Sequence, residues 1–271
     1  GTPVTADNCG VASVTNDAPT AFPIGVTNVT WTVTDNSGNT ATCTQVVTVT
    51  DNVLPTITCP AAVDATTNTG CTATGVALGT PVTADNCGVA SVTNDAPGSF
   101  PIGVTNVTWT VTDNSGNIAT CTQTVTVTDN VLPTITCPAA VAATTNTGCT
   151  ATGVVLGTPV TADNCGVASV TNNALGAFPI GVTNVTWTVT DNSGNTATCT
   201  QTVTVTDNVV PTITCPAAVA ATTNTGCTAT GVALGTPTTG DNCGVASVTN
   251  NAPGAFPIGV TNVTWTVTDN S

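Results

Sequence analysis

Alternation of period two runs through long parts of this chain. In "NVTWTVTD" at 106–113, Val107, Trp109 and Val111 fall on one side and Thr108, Thr110 and Thr112 on the other. In "ATCTQTVTVT" at 119–128 the same alternation carries Cys121, Val125 and Val127. Successive side chains of an extended strand point to opposite faces, so the pattern predicts half-buried strands with threonine toward solvent. Between them, "DNSGN" at 113–117 is a turn signal, and the two strands are expected to form a hairpin. "CTATGVAL" at 71–78 and "VASVTN" at 89–94 read as two further strands. "TITCP" and the following "AVDATT" read as an edge strand interrupted by Pro60, which an edge tolerates. "GSFPIG" reads as a short strand or turn leading into the Trp strand, and no segment has helical periodicity.

This pattern repeats. Trp31, Trp109, Trp187 and Trp265 are spaced 78 residues apart, as are Asp7, Asp85, Asp163 and Asp241, which open the "DNCG" stretches. Internal repetition at a fixed step decides the architecture. The chain reads as a partial copy at 1–50, whole copies at 51–128 and 129–206, and a partial copy at 207–271. Its ends fall inside copies, so a window on a longer array is expected. Six or seven short strands per copy predict an all-β fold of tandem β-sandwiches. Trp109 and Phe100 are expected in the core, because an aromatic content of 3% does not supply a clustered sugar-binding platform.

Composition then narrows the chemistry. The chain has no Lys, Arg, His, Glu, Tyr or Met; all 14 acidic residues are Asp, and the net charge of −14 has no counter-charge among the side chains. Nothing here neutralises a phosphate, which excludes nucleic acid and anionic membrane as natural partners. The same absences remove the usual general bases, Ser–His and Cys–His pairs and cationic oxyanion clamps, so no enzymatic activity is expected. At 40% hydrophobic residues the chain is not a disordered acidic tail. No apolar run reaches the length of a membrane span. Thirteen cysteines point to an oxidising, extracellular or cell-surface location. With no CxxC, no His and no tight cluster, zinc is a poor match for them.

The order "PTITCP", "GTPVTADNCG", "FPIGVTNVTWTVTDNSGN", "ATCTQTVTV" resembles the hyalin repeat, or HYR, domain along the whole of every copy. The resemblance implies an immunoglobulin-like sandwich found in tandem in extracellular adhesion and matrix proteins. Near-identical copies rich in Thr, Asn and Asp look like those of very large bacterial surface proteins, although the missing Lys and Arg depart from most members. Four cysteines per whole copy allow three connectivities. Family members with two cysteines keep the positions of Cys59 and Cys121, so the resemblance implies Cys59–Cys121, with Cys71–Cys87 by exclusion. The same scheme implies Cys137–Cys199, Cys149–Cys165 and Cys227–Cys243. A straight strand would hold Cys71 and Cys87 too far apart, which leaves Cys59–Cys71 with Cys87–Cys121 as the alternative.

Differences between copies sort the aspartates. Asp17 and Asp95 become Asn173 and Asn251, and Asp64 becomes Ala142 and Ala220, so these positions do not need a charge. Asp51, Asp85 and Asp113 remain Asp in every copy that contains them. Counting strand directions puts the linker "TDN", the "DNCG" loop and the "DNSGN" turn at one pole, if zero or two strands separate "VASVTN" from the Trp strand. Asp51, Asp85 and Asp113 are then expected to converge at the junction with the preceding copy, and Asp129, Asp163 and Asp191 one step later. Converging carboxylates repel unless a cation sits between them, and Ca²⁺ suits a site rich in Asp and in backbone and Asn carbonyls. Plain turn chemistry competes with this reading and by itself explains "DNSGN", since Asp and Asn accept local backbone hydrogen bonds.

The functional expectation is a structural extracellular array forming a stalk, filament or matrix fibre. Its partners are neighbouring copies, with lateral self-association or a cell-surface or glycan partner as extensions. The alternative is an adhesion module that grips a glycan or surface itself; outward Thr rows also suit ice, but outward Thr is ordinary in strands. Asn28, Asn106, Asn184 and Asn262 each open an "NVT" glycosylation sequon.

Overall fold

The computed structural model describes all 271 residues, and every helix-or-strand element in it is a β-strand. The chain divides into two compact units, Gly1–Asp129 and Asn130–Ser271.

In the first unit, the whole copy builds a four-stranded sheet in the order Val63–Thr66, Ile118–Thr128, Gly103–Asp113, Val89–Asn94. The Trp strand, Gly103–Asp113, is antiparallel to both neighbours, and Val63–Thr66 joins the last strand in parallel. Two short antiparallel pairs, Thr56–Thr58 with Val82–Ala84 and Thr72–Thr74 with Ser99–Pro101, supply the other side of the core. The expected broken edge strand is a strand that changes sheets. Thr56–Thr58 serves one layer and Val63–Thr66 the other, with Cys59, Pro60 and two alanines crossing between them. Likewise Ser99–Pro101 continues, after Ile102, into the Trp strand. The strand expected over 71–78 is only Thr72–Thr74, because Gly75 turns the chain with φ +67°. Val82–Ala84, inside the expected loop "GTPVTADN", is the strand that the pattern did not announce.

Period two becomes burial. Val107, Trp109 and Val111 are buried, as are Val125 and Val127, and all but Val111 close with Ala73 and Phe100 over the core. The outward Thr108, Thr110 and Thr112 are half-buried rather than open, because the Trp strand lies between two neighbours instead of at an edge. One inward position on the last strand is polar. Gln123 is fully buried, its Oε1 accepts from Trp109 Nε1 at 2.9 Å, and its amide donates to Ala61 O at 2.7 Å and Leu78 O at 2.9 Å. A single side chain thus satisfies the indole and two loop carbonyls that would otherwise be orphaned.

The second unit contains the next whole copy with the same order, Val141–Thr144, Thr196–Thr206, Gly181–Asp191, Val167–Asn172. Gln201 there repeats the bonds to Trp187, Ala139 O and Leu156 O.

The cysteines divide into two kinds. Cys59–Cys121 and Cys137–Cys199 are disulfides with Cα–Cα distances of 5.8 and 5.7 Å, tying the first strand of each whole copy to its last. Cys71–Cys87, Cys149–Cys165 and Cys227–Cys243 do not form, and neither does the alternative Cys59–Cys71 with Cys87–Cys121. The reason is polar geometry within a copy. Cys149 precedes Thr150–Thr152, which pairs with the short strand feeding the start of the 11-residue Trp strand. Cys165 lies at that strand's other end, where its carbonyl accepts from Asn192 Nδ2 at 2.8 Å. The two ends of such a strand are roughly 33 Å apart, far beyond disulfide reach.

Candidate cation site and repeat junction

Three loops of the whole copy in the first unit end at one pole. The linker brings Asp51, the loop after Val82–Ala84 brings Asp85, and the hairpin turn after the Trp strand brings Asp113. Each offers a carboxylate oxygen, and these oxygens lie within 4.8 Å of one another. Strand parity explains the last of them: Asp113 continues the inward row Val107, Trp109, Val111 and is fully buried.

The three carboxylates are held differently. Asp113 is the anchor of its own turn. Its Oδ1 accepts from the amides of Ser115 and Asn117, both at 2.8 Å, and its Oδ2 from Asn117 Nδ2 at 2.7 Å. Burial pushes its pKa up, but the bonds from Asn117, Ser115 and Gly116 together outweigh it and hold the carboxyl below its ordinary value. Asp191 sits in an identical turn and is held down by the same balance. Asp51 accepts from Val53 N at 3.1 Å and Asn86 Nδ2 at 3.3 Å, and the Val53 amide is the main cause of its lowered pKa. Asp85 takes the Cys87 amide on Oδ2 at 2.8 Å, while its Oδ1 is buried with no hydrogen-bond partner. Asp163 and Asp241 repeat this, each with one oxygen on the following cysteine's amide and the other buried and unpartnered. Turn chemistry therefore accounts for Asp113 in full, and for half of Asp85.

The linker is stitched to the same pole. Asn117 Nδ2 also reaches Asp51 O at 3.1 Å and Val53 O at 3.3 Å, and Ser115 Oγ reaches Asp51 Oδ2 at 3.4 Å. At the opposite end of this copy, buried Asp129 accepts from Thr67 Oγ1 at 3.0 Å. Asp129 closes the first unit, whereas Asp163 and Asp191 belong to the second.

The second unit contains a junction between two consecutive copies. Asp207 of the linker accepts from Thr145 Oγ1 at 2.8 Å, a residue of the preceding copy. Asn242 of the "DNCG" loop donates to Asp207 Oδ1, Thr145 Oγ1 and Gly148 O, each at 3.2 Å. Cys149 Sγ lies 3.7 Å from Asn242 O, next to Cys243 in the chain. Burial, the Cys149 thiol and the Asp207 carboxylate push the Cys243 pKa far up; the Val209 amide, aided by Cys243, Thr145 and Asn242, holds Asp207 far down. Asp207, Asp241 and Cys243 also form a close group, but one that includes a sulfur ligand, which a hard cation does not favour.

Each sequon asparagine is exposed, Asn106 and Asn184 on outward positions of the Trp strands. The residues that pattern reading passed over are Gln123, Asn86 and Thr67 with their equivalents. A signal existed for Gln123, which occupies an inward position of an otherwise apolar row.

The HYR domain matches residues 1–49, 50–127, 128–205 and 206–271. The chain belongs to the HYR domain family. Two curated relatives are named Hyalin, one from Strongylocentrotus purpuratus at 37% identity over 216 residues and one from Lytechinus variegatus at 35% over 217. Each alignment covers 74% of this chain, but only 18% and 41% of the respective relative, so the HYR chain spans less than half the length of either. Both are sea-urchin proteins, and the resemblance to bacterial surface arrays gains no support from them. Among solved structures, Drosophila N-cadherin EC1-4 matches with a TM-score of 0.34 at 12% identity, over 68% of this chain and 59% of that one. Protocadherin Gamma B7 cadherin domains 1-4 match with 0.32 at 9%, over 90% and 75%. Likeness at this level carries nothing about function. The HYR copies and their disulfides mark an extracellular protein of structural or adhesive type. No helix is long and apolar enough to cross a membrane.

Proposed function

We propose that this HYR chain is a load-bearing stretch of an extracellular stalk, filament or matrix fibre, with its copies bounded at 1–50, 51–128, 129–206 and 207–271. We further propose that Ca²⁺ stiffens the passage from one copy to the next. The observation that carries this reading is the grouping of Asp51, from the linker, with Asp85 and Asp113, from two loops of the following copy, together with the buried Asp85 Oδ1 that has no hydrogen-bond partner. A cation held there ties the linker to the body of the sandwich. The donors are hard oxygens, as Ca²⁺ prefers, at ligand distances of about 2.4 Å.

The buried Val, Trp, Phe and Ala side chains of each whole copy form the core, and the cation would sit at the pole beyond the end of that row. Removing the ion therefore leaves each sandwich folded and loosens the linker. The test is small-angle scattering of the 271-residue chain, with Ca²⁺ and after chelation, beside calorimetric titration of Ca²⁺. The expected result is saturable binding and a shorter mean end-to-end length after chelation. An unchanged length with no binding heat leaves these aspartates as turn formers only. The sequon asparagines Asn28, Asn106, Asn184 and Asn262 are assigned as glycan carriers where the producing cell modifies such sites.

A further inference from the structure

The junction inside the second unit holds two thiols that the disulfide scheme within a copy does not use. Cys149 belongs to one copy and Cys243 to the next. Their carriers are docked together: Asn242, which directly precedes Cys243, donates to Thr145 Oγ1 and Gly148 O on the loop that ends in Cys149. Gly148 has φ +58° there, and a Cβ on it would stand 4.0 Å from Asn242 O, so the loop approaches the partner copy at van der Waals distance. Cys149 Sγ is 3.7 Å from that same carbonyl. Cysteine fills both positions in every copy of the sequence that reaches them: Cys71, Cys149 and Cys227 for the loop, Cys9, Cys87, Cys165 and Cys243 for "DNCG".

We propose that Cys149 and Cys243 close into a disulfide that joins consecutive copies covalently, a cross-link beyond the calcium reading and independent of it. Two docked loops hold Cys149 Sγ 3.7 Å from the carbonyl of the residue before Cys243, and closure brings the two sulfurs to a bond of about 2.05 Å. Cys149 is exposed and Cys243 only partly covered, so Cys149 meets the oxidant first. The oxidant is a disulfide of the glutathione class. Cys149 thiolate attacks one of its sulfurs, forming a mixed disulfide and releasing one glutathione thiolate. Cys243 thiolate then attacks the Cys149 sulfur and expels the second. Two protein thiols lose two protons and two electrons, and one oxidised glutathione becomes two reduced ones. With Cys59–Cys121 and Cys137–Cys199 inside the copies, such a link makes the covalent path run across the junction as well as through the sandwich.

The test uses the 271-residue chain incubated with oxidised glutathione in the presence of chelator, so that its outcome is separate from that of Ca²⁺ binding. After alkylation of remaining thiols at acidic pH, an endoprotease cutting before Asp separates 129–162, 163–190, 207–240 and 241–268. The expected result is 129–162 joined to 241–268 without reductant, a product lost in C149S and in C243S. Pairing of 129–162 with 163–190, or of 207–240 with 241–268, overturns the proposal, as does alkylation of both thiols after oxidation. Because a serine variant can misfold, retention of Cys137–Cys199 in each variant is checked in the same digest; if it is lost, the wild-type digest alone decides.

Discussion

The same stretch of sequence occurs at two poles of this molecule in different company. At the pole formed by Asp51, Asn86 and Cys87, the Asn86 amide reaches Asp51 at 3.3 Å and Cys87 Sγ at 3.0 Å. By the 78-residue step, the loop equivalent to 145–149 has no counterpart for this pole within residues 1–271. At the pole formed by Asp207, Asn242 and Cys243, that loop is present, and Thr145, Gly148 and Cys149 meet these residues. The Asp51 carboxyl is held below its ordinary value, whereas Asp207 is held far below. Both cysteines are pushed up by burial first, Cys243 much further than Cys87. The carboxylate, amide and thiol are thus one half of a junction, and the preceding copy supplies the other. An acidic pole read in isolation looks like surface chemistry; beside its neighbour it is an interface with defined polar partners.

The largest way to sharpen this contrast is to perturb what the whole copies share. Gln123→Leu and Gln201→Leu each leave an indole N–H and two carbonyls without a buried partner. Each is expected to cost about 2–4 kcal/mol, on the usual penalty for orphaned buried groups. Denaturant titration of the two variants checks this; a loss below about 0.5 kcal/mol at both sites would mean that the buried amide is dispensable.

A smaller effect is expected at the junction itself. Asn242→Ala removes the bonds to Thr145, Gly148 and Asp207 and should destabilise the docked loop by about 1–2 kcal/mol, while Asn86→Ala should fall within about 0.5 kcal/mol of neutral. Hydrogen exchange at 145–149 reads this directly: faster exchange is expected in Asn242→Ala alone.

The smallest effect is pH dependence of the hairpin turns. Asp35, Asp113 and Asp191 have folded-state pKa values below the ordinary 3.8. Their contribution to stability is therefore present above pH 3.8 and lost as pH falls through the lower, folded-state value. The thermal midpoint should hold between pH 5 and 7 and decline below about pH 4; Asp113→Asn, which keeps one acceptor oxygen, should flatten that decline.

Much of this was open to sequence reading. Period two at Val107, Trp109 and Val111 placed the Trp strand and its buried face, because alternation in a strand leaves no other assignment. The copy step followed from the Trp spacing, and counting strand directions brought Asp51, Asp85 and Asp113 to one pole. The requirement on strand number was met because Ser99–Pro101 and the Trp strand run on as one path. The Cys59–Cys121 pairing came from family resemblance rather than from geometry. Pairing Cys71 with Cys87 treated each copy as closed, and it missed that the two lie at opposite ends of an 11-residue strand.

By itself, then, the sequence determined the local terms: alternation, turn residues and an exact repeat, all of which act over a few residues and survive in any copy. The tertiary structure decided which distant groups meet. Gln123 takes up Trp109, Ala61 O and Leu78 O because two layers close over it, and Cys149 Sγ meets Asn242 O because one sandwich ends where the next begins. A buried amide or a docked thiol depends on partners dozens of residues away, and no pattern of period two carries that distance.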